Sequence, residues 1–261
     1  MRSVSMKILV ALKQVAARDS ALKPSADGRW IDEDGMQYEI NEPDAYALEA
    51  GLQVKEKLGG EVVVLSAGPA RVGSSIREAL AKGADRAIHI EQNGLDAWDS
   101  LSLARLLAAT VRLESPDLVL TGLQSDDAGR GETGVMMAEL LDMPHATIIM
   151  KIEVENGVAK VKRELEGGWF QDIELKLPAL LTVQSGISRL RYATLMGIKK
   201  ARTKEVKVIT AAELGVEAKP LAVLERLSAP VKKKLGEMIE GTPKEQAAKL
   251  VEKLRFEARV I

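Results

Sequence analysis

The chain has 261 residues, 37 basic against 38 acidic side chains for a net charge of −1, no cysteine and only 3% aromatic residues. That length holds one large α/β domain with an appendage, while the lack of cysteine excludes disulfides, thiolate metal ligands and a thiol nucleophile and leaves any redox chemistry to a bound cofactor. The balanced charge gives no general attraction to nucleic acid or anionic lipid, no apolar run approaches the ~20 residues of a membrane span, and the first ten residues lack a signal-peptide pattern; the expectation is a cytoplasmic protein with no nucleic-acid partner and no membrane insertion.

In chain order, "KILVAL" (7–12), "EVVVLSAG" (61–68), "RAIHI" (86–90) and "DLVLTG" (117–122) are short and nearly continuous in apolarity, as strands covered on both faces must be. Between them lie segments of helical period at 43–59, 72–84 and 97–113, the first with proline near its start and glycine at its end. Alternation of this kind predicts right-handed crossovers and an α/β doubly wound, mostly parallel, Rossmann-like sheet. After Pro144 the stretch "ATIIMKIEVENGVAKVKRELEGGWFQDIELKLPALLTV" alternates apolar and polar residues around "ENG" and "EGG", which predicts added antiparallel hairpins. Residues 1–218 are read as one domain and 219–261 as a charged arm, ending in a helix from 243 to about 257, that stays mobile or docks on a partner.

Loops at the carboxyl ends of such strands converge on one crevice. There "TGLQSDDAGRGETG" (121–134) brings four glycines, three acids and an arginine between a strand and a helical "VMMAELLDMP". Glycine lets the backbone approach a ligand closely, and the following helix start favours an anion. Arg130 offers a bidentate grip, Asp126 or Asp127 an acceptor, and Thr133 a hydroxyl or a helix cap; Asn41, just before the first long helix, joins from the side. The competing reading is an ordinary flexible loop with a capped helix. The stretch is neither a P-loop nor GxGxxG, and it contains no lysine. His89, inside a strand, reads as a core histidine and His145 as a turn residue. The basic run at 189–207 sets Leu195, Met196 and Ile198 among cations, a solvated face or a docking loop.

Taken together, "KILVALKQV", "INEPDAYALEAGLQVKEK", "VVLSAGPA", "IREALAKGADRAIHI", "DLVLTGLQSDDAGRGETG", "LKLPALLTV" and "RYATLMGIKKARTKEV" resemble, in order and spacing, the β subunit of electron transfer flavoproteins. The resemblance covers 7–215 and implies a heterodimer with an α subunit whose FAD takes electrons from acyl-CoA and related dehydrogenases and passes them to a membrane quinone oxidoreductase. It implies a structural AMP in this chain, held at the positions of Ala11, Asn41, Ala67, Gln124, Asp127, Gly131, Glu132, Thr133 and Gly134, with Arg130 alongside. The family's Asn-Gln-Thr triplet is here Gly131, Glu132, Thr133, and the first loop, "KQVAARDS", lacks the family's tyrosine near the flavin. Leu195 takes the place of the leucine that anchors the family's recognition loop in a dehydrogenase. Two alternatives stay open: an electron-bifurcating subunit with its own FAD, and a stand-alone adenine-nucleotide-binding stress-type protein.

Overall fold

In chain order the elements are β1 (Met6–Ala11), β2 (Gln14–Ala16), β3 (Tyr38–Ile40), α1 (Glu42–Leu58), β4 (Gly60–Gly68), α2 (Gly73–Lys82), β5 (Arg86–Glu91), α3 (Ser100–Glu114), β6 (Leu118–Gly122), α4 (Thr133–Leu141), β7 (His145–Glu155), β8 (Val158–Glu164), β9 (Phe170–Lys176), β10 (Ala179–Val183), α5 (Leu195–Ala201), β11 (Val206–Ile209) and α6 (Pro243–Phe256). The computed structural model describes residues 6–95, 98–217, 219–230 and 236–261. Two compact units divide between Leu227 and Ser228.

Successive residues of β1 feed opposite faces of one sheet. Ile8 and Val10 join Leu48, Leu52, Ile76 and Leu80 of α1 and α2 in one core cluster, while Leu9 joins Leu106, Val111 and Met137 of α3 and α4 in the other. Burying each such side chain contributes roughly 1.5–3 kcal/mol, so a strand apolar on both faces is stable only between two helix layers. Gly51 lets α1 lie close on the sheet, since a Cβ there would stand 3.1 Å from Val10 and 3.4 Å from Leu120.

The strand order is β11-β5-β4-β1-β6-β10-β7-β8-β9, with β2 and β3 forming a separate antiparallel ribbon. The parallel core and its crossover helices agree with the doubly wound expectation. One detail is corrected: "ALLTV" is not a hairpin arm but β10, parallel to both β6 and β7 and buried at all five positions. Its apolar run, interrupted only by Thr182, was the signal for a strand covered on both faces. The hairpins are the meander β7-β8-β9 alone. The edge strand β11, parallel to β5, went unread because "VKVI" lies in a run of cations.

In the second unit, α6 opens on a capping box in which Thr242 and Glu245 satisfy each other's backbone N–H groups. No residue of α6 is buried, and Leu250, Val251 and Phe256 stand exposed. The reading of residue 97 as the start of α3 lies outside the described residues, as does the arm at 231–235.

Candidate functional site

The chain leaves β1 toward β4 on one side, and β6 pairs with β1 on the other, so the carboxyl ends of β1 and β6 bound a topological switch point, where open α/β sheets bind ligands. The N-terminus of α1 closes this crevice from the side. Asn41, at the N-cap and almost fully buried, donates from Nδ2 to the Gln124 carbonyl at 2.9 Å and accepts at Oδ1 from the Asp126 N–H at 2.9 Å. Its own N–H donates to the Lys13 carbonyl at 2.9 Å. One turn on, both oxygens of buried Asp44 accept backbone N–H groups, from Lys13 at 2.7 Å and from Gly122 at 2.8 Å. Burial pushes the Asp44 carboxyl up to about 7, against the opposing pull of those bonds and of the Lys13 charge.

The loop after β6 is tied down from the other side by Lys13, whose Nζ lies 2.6 Å from Asp127 Oδ1 and 3.3 Å from Ser125 Oγ. Partial burial pushes the Asp127 carboxyl up, but Lys13, Ser125 and the Ala128 N–H together hold it below its ordinary value. Gly129 and Gly131 have φ of 61° and 66°, a region glycine enters without a steric penalty. Glu132 occupies the N-cap of α4 and makes no side-chain capping bond, which leaves that helix start to water or an anion. Thr133 is therefore the first residue of the helix and not its cap. Gly134 packs against β6 and β10, where a Cβ would stand 2.8 Å from both Thr121 Oγ1 and Thr182 Cγ2.

Of the residues singled out in the sequence, Asn41, Gln124 and Asp127 are joined directly in this network, Ala11 ends β1 at its edge, and Arg130, Gly131, Glu132, Thr133 and Gly134 continue the same loop into α4. Ala67 lies near the end of β4, the strand beside β1. Arg130 is exposed and makes no ion pair among the described residues. His89 is a satisfied core histidine, its Nε2 3.0 Å from the Gly68 carbonyl. Two residues were missed: Lys13, hidden because the lysine that serves this loop comes from the neighbouring one, and Asp44, an acid in the first turn of α1 with no motif to mark it.

Leu195 lies elsewhere. It opens α5, which packs on the C-terminal end of α2 so tightly that a Cβ on Gly197 would meet the Ala81 carbonyl at 2.2 Å. Because α2 descends from the carboxyl end of β4 to the amino end of β5, this places Leu195 at the opposite edge of the sheet from the crevice. Leu195 is 86% exposed, beside Tyr192 at 88% and Met196 at 64%.

Residues 29–214 match the electron transfer flavoprotein domain. The chain is 40% identical over 256 residues to the electron transfer flavoprotein subunit beta of Methylophilus methylotrophus, covering 95% of this chain and 97% of that one. It is 37% identical to the corresponding subunit of Bacillus subtilis, over 88% of this chain and 91% of that one, and 36% identical to that of Sus scrofa, over 98% and 99%. Since the domain match covers more than half of the chain and each of these relatives spans at least 88% of it, the chain belongs to the electron transfer flavoprotein β-subunit family.

Proposed function

We propose that this chain binds a structural AMP in the crevice between β1 and β6, pairs with an α subunit that holds most of the FAD, and in that heterodimer carries electrons from acyl-CoA and related dehydrogenases to a membrane quinone oxidoreductase. The observation that carries the nucleotide reading is the glycine-rich loop braced by Asn41 and Lys13 and opening on an uncapped α4. The donor set fits a phosphate: backbone N–H groups at a helix start, one ammonium already within the loop, and a guanidinium, Arg130, on its rim. Asn41, almost fully buried, serves the site by bracing this loop through its two side-chain bonds.

FAD, when bound, supplies the electron transfer; the residues of this chain supply its surroundings and the route to partners. Support for docking comes from Leu195, Tyr192 and Met196, apolar and exposed on a segment flanked by Arg189, Lys199, Lys200 and Arg202, a surface suited to an acidic partner with an apolar pocket. The capped α6, with no buried residue, suits a helix that buries its Leu250, Val251 and Phe256 against the α subunit.

The test is to co-express the chain with its α subunit, denature the purified complex and quantify released nucleotides. One FAD and one AMP per heterodimer is the expected result. Two FAD and no AMP would replace this reading with the electron-bifurcating one, and a stable monomer turning over ATP would replace it with the stand-alone one.

A further inference from the structure

Asn41 and Asp44 share the N-terminus of α1 but do different work in the crevice. Asn41 grips the loop after β6 directly. Asp44 grips the two strand exits beneath it, Oδ2 taking the Lys13 N–H and Oδ1 the Gly122 N–H, so that one buried carboxylate bridges β1 and β6 where their ladder ends. The fit is close on the other side as well: a Cβ on Gly122 would stand 2.4 Å from Asp44 Oδ1, 2.8 Å from its backbone N and 2.7 Å from Pro43 Cβ. Gly122 is thus small because Asp44 must reach its N–H. The two lines of the loop's support hang from these exits: Lys13, whose side chain holds Asp127, is the residue at the first, and the loop that presents Gln124, Arg130 and the start of α4 begins directly after the second.

We propose that Asp44 is a positioning residue of this site, setting the spacing of the β1 and β6 exits at which residues 121–134 aim their backbone donors at the phosphate of a nucleoside monophosphate; this rests on the nucleotide reading above. Asp44 does not touch the ligand. Asparagine, with a single oxygen, satisfies one of the two N–H groups and turns an NH2 group toward the other; alanine satisfies neither. A buried donor left without its acceptor costs about 1–3 kcal/mol, the equivalent of about five- to 150-fold in an equilibrium.

The test uses the full chain in complex with its α subunit, comparing wild type with Asp44→Asn, Asp44→Ala and Gly122→Ala. Calorimetry on nucleotide-stripped complexes reads AMP against adenosine, which shares the base and ribose but lacks the phosphate, and hydrogen exchange reads peptides across residues 121–134 beside peptides of β4 and β7. The expected result is AMP binding weakened about tenfold or more in Asp44→Asn with adenosine affinity unchanged, and faster exchange confined to the loop. Equal losses for AMP and adenosine, or loosening of the whole sheet, would overturn the proposal by reducing Asp44 to a general structural residue. If the wild-type complex binds no AMP, the nucleotide reading fails on its own and exchange decides the positioning role: loop-confined acceleration upholds it and an unchanged loop rejects it.

Discussion

Arg191 holds Glu49 in a two-pronged grip, Nε at 2.7 Å from one carboxylate oxygen and a terminal nitrogen at 3.0 Å from the other, while its remaining terminal nitrogen reaches Glu56 at 2.6 Å. Glu49 and Glu56 lie on α1, a 17-residue helix of about 25 Å whose other end carries Asn41 and Asp44. The segment that displays Leu195 and the crevice at the far edge of the sheet are therefore mounted on the same rigid helix. Arg77 donating to the Ala201 carbonyl at 2.7 Å and Lys204 to the Leu80 carbonyl at 2.9 Å secure the same segment to α2.

Arg191→Ala strands a carboxylate that is only 6% exposed. The expected loss is about 2–3 kcal/mol, less than for a fully buried pair because the arginine is itself partly hydrated. Urea unfolding measures it, and adding Glu49→Gln to that variant should recover much of the loss. A loss under half a kcal/mol in the single variant would show that the pair is not what anchors the segment.

Lys13→Met keeps the aliphatic stem and removes the charge that holds Asp127. AMP affinity is expected to fall by about tenfold, as for loss of one charge-assisted bond, with a smaller salt dependence than wild type. Titrations at low and high salt check both; an affinity unchanged at low salt would remove Lys13 from the site.

The stability of the fold should depend on Asp44 in one direction only. Burial raises its carboxyl from an ordinary 3.8 to about 7, so between those values the folded chain keeps a proton that the unfolded chain has released. Its contribution is full below pH ~4, is lost as pH rises toward ~7 at up to about 1.4 kcal/mol per pH unit, and levels off above. Relative to Asp44→Asn, wild type should lose stability between pH 5 and 7 in denaturant titrations. A difference that grows with rising pH would mean that the Lys13 and Gly122 N–H bonds outweigh burial.

Asp99 behaves oppositely. Its carboxylate caps α3 through Ser102 at 2.8 Å and receives the N–H groups of Leu221 at 2.6 Å and Ala222 at 3.2 Å, bonds that hold it far below the ordinary carboxylate range. Its contribution is present above pH ~4 and is lost as the solution is acidified below that value. Asp99→Ala should lower stability at pH 7 by about 1–2 kcal/mol, as for other lost caps, and open the chain near Leu221 to proteolysis. Mass mapping of limited digests reads the second effect, and an unaltered cleavage pattern would contradict it.

Leu195→Ala removes a side chain that is 86% exposed. Stability should stay within about 0.5 kcal/mol of wild type, while the rate of flavin reduction by a partner dehydrogenase drops at subsaturating concentration. Equal rates in stopped-flow experiments would return this leucine to the ordinary surface.

The sequence by itself determined the parallel core, its crossover helices and the glycine loop after β6, because strands covered on both faces must be apolar throughout and because glycines at 129 and 131 meet a backbone demand that is local. It also placed Asn41 beside the loop, since an N-cap position follows from the proline and acids after it. The tertiary structure alone decided that β10 enters the sheet between β6 and β7, that Lys13 from one loop neutralises Asp127 in another 114 positions away, and that Asp44 spans two strand ends. Periodicity records which face of an element is buried. A carboxylate or an ammonium carries no such record: its partner is whichever group the folded chain brings within 3 Å, and that is settled only when the strands take their order.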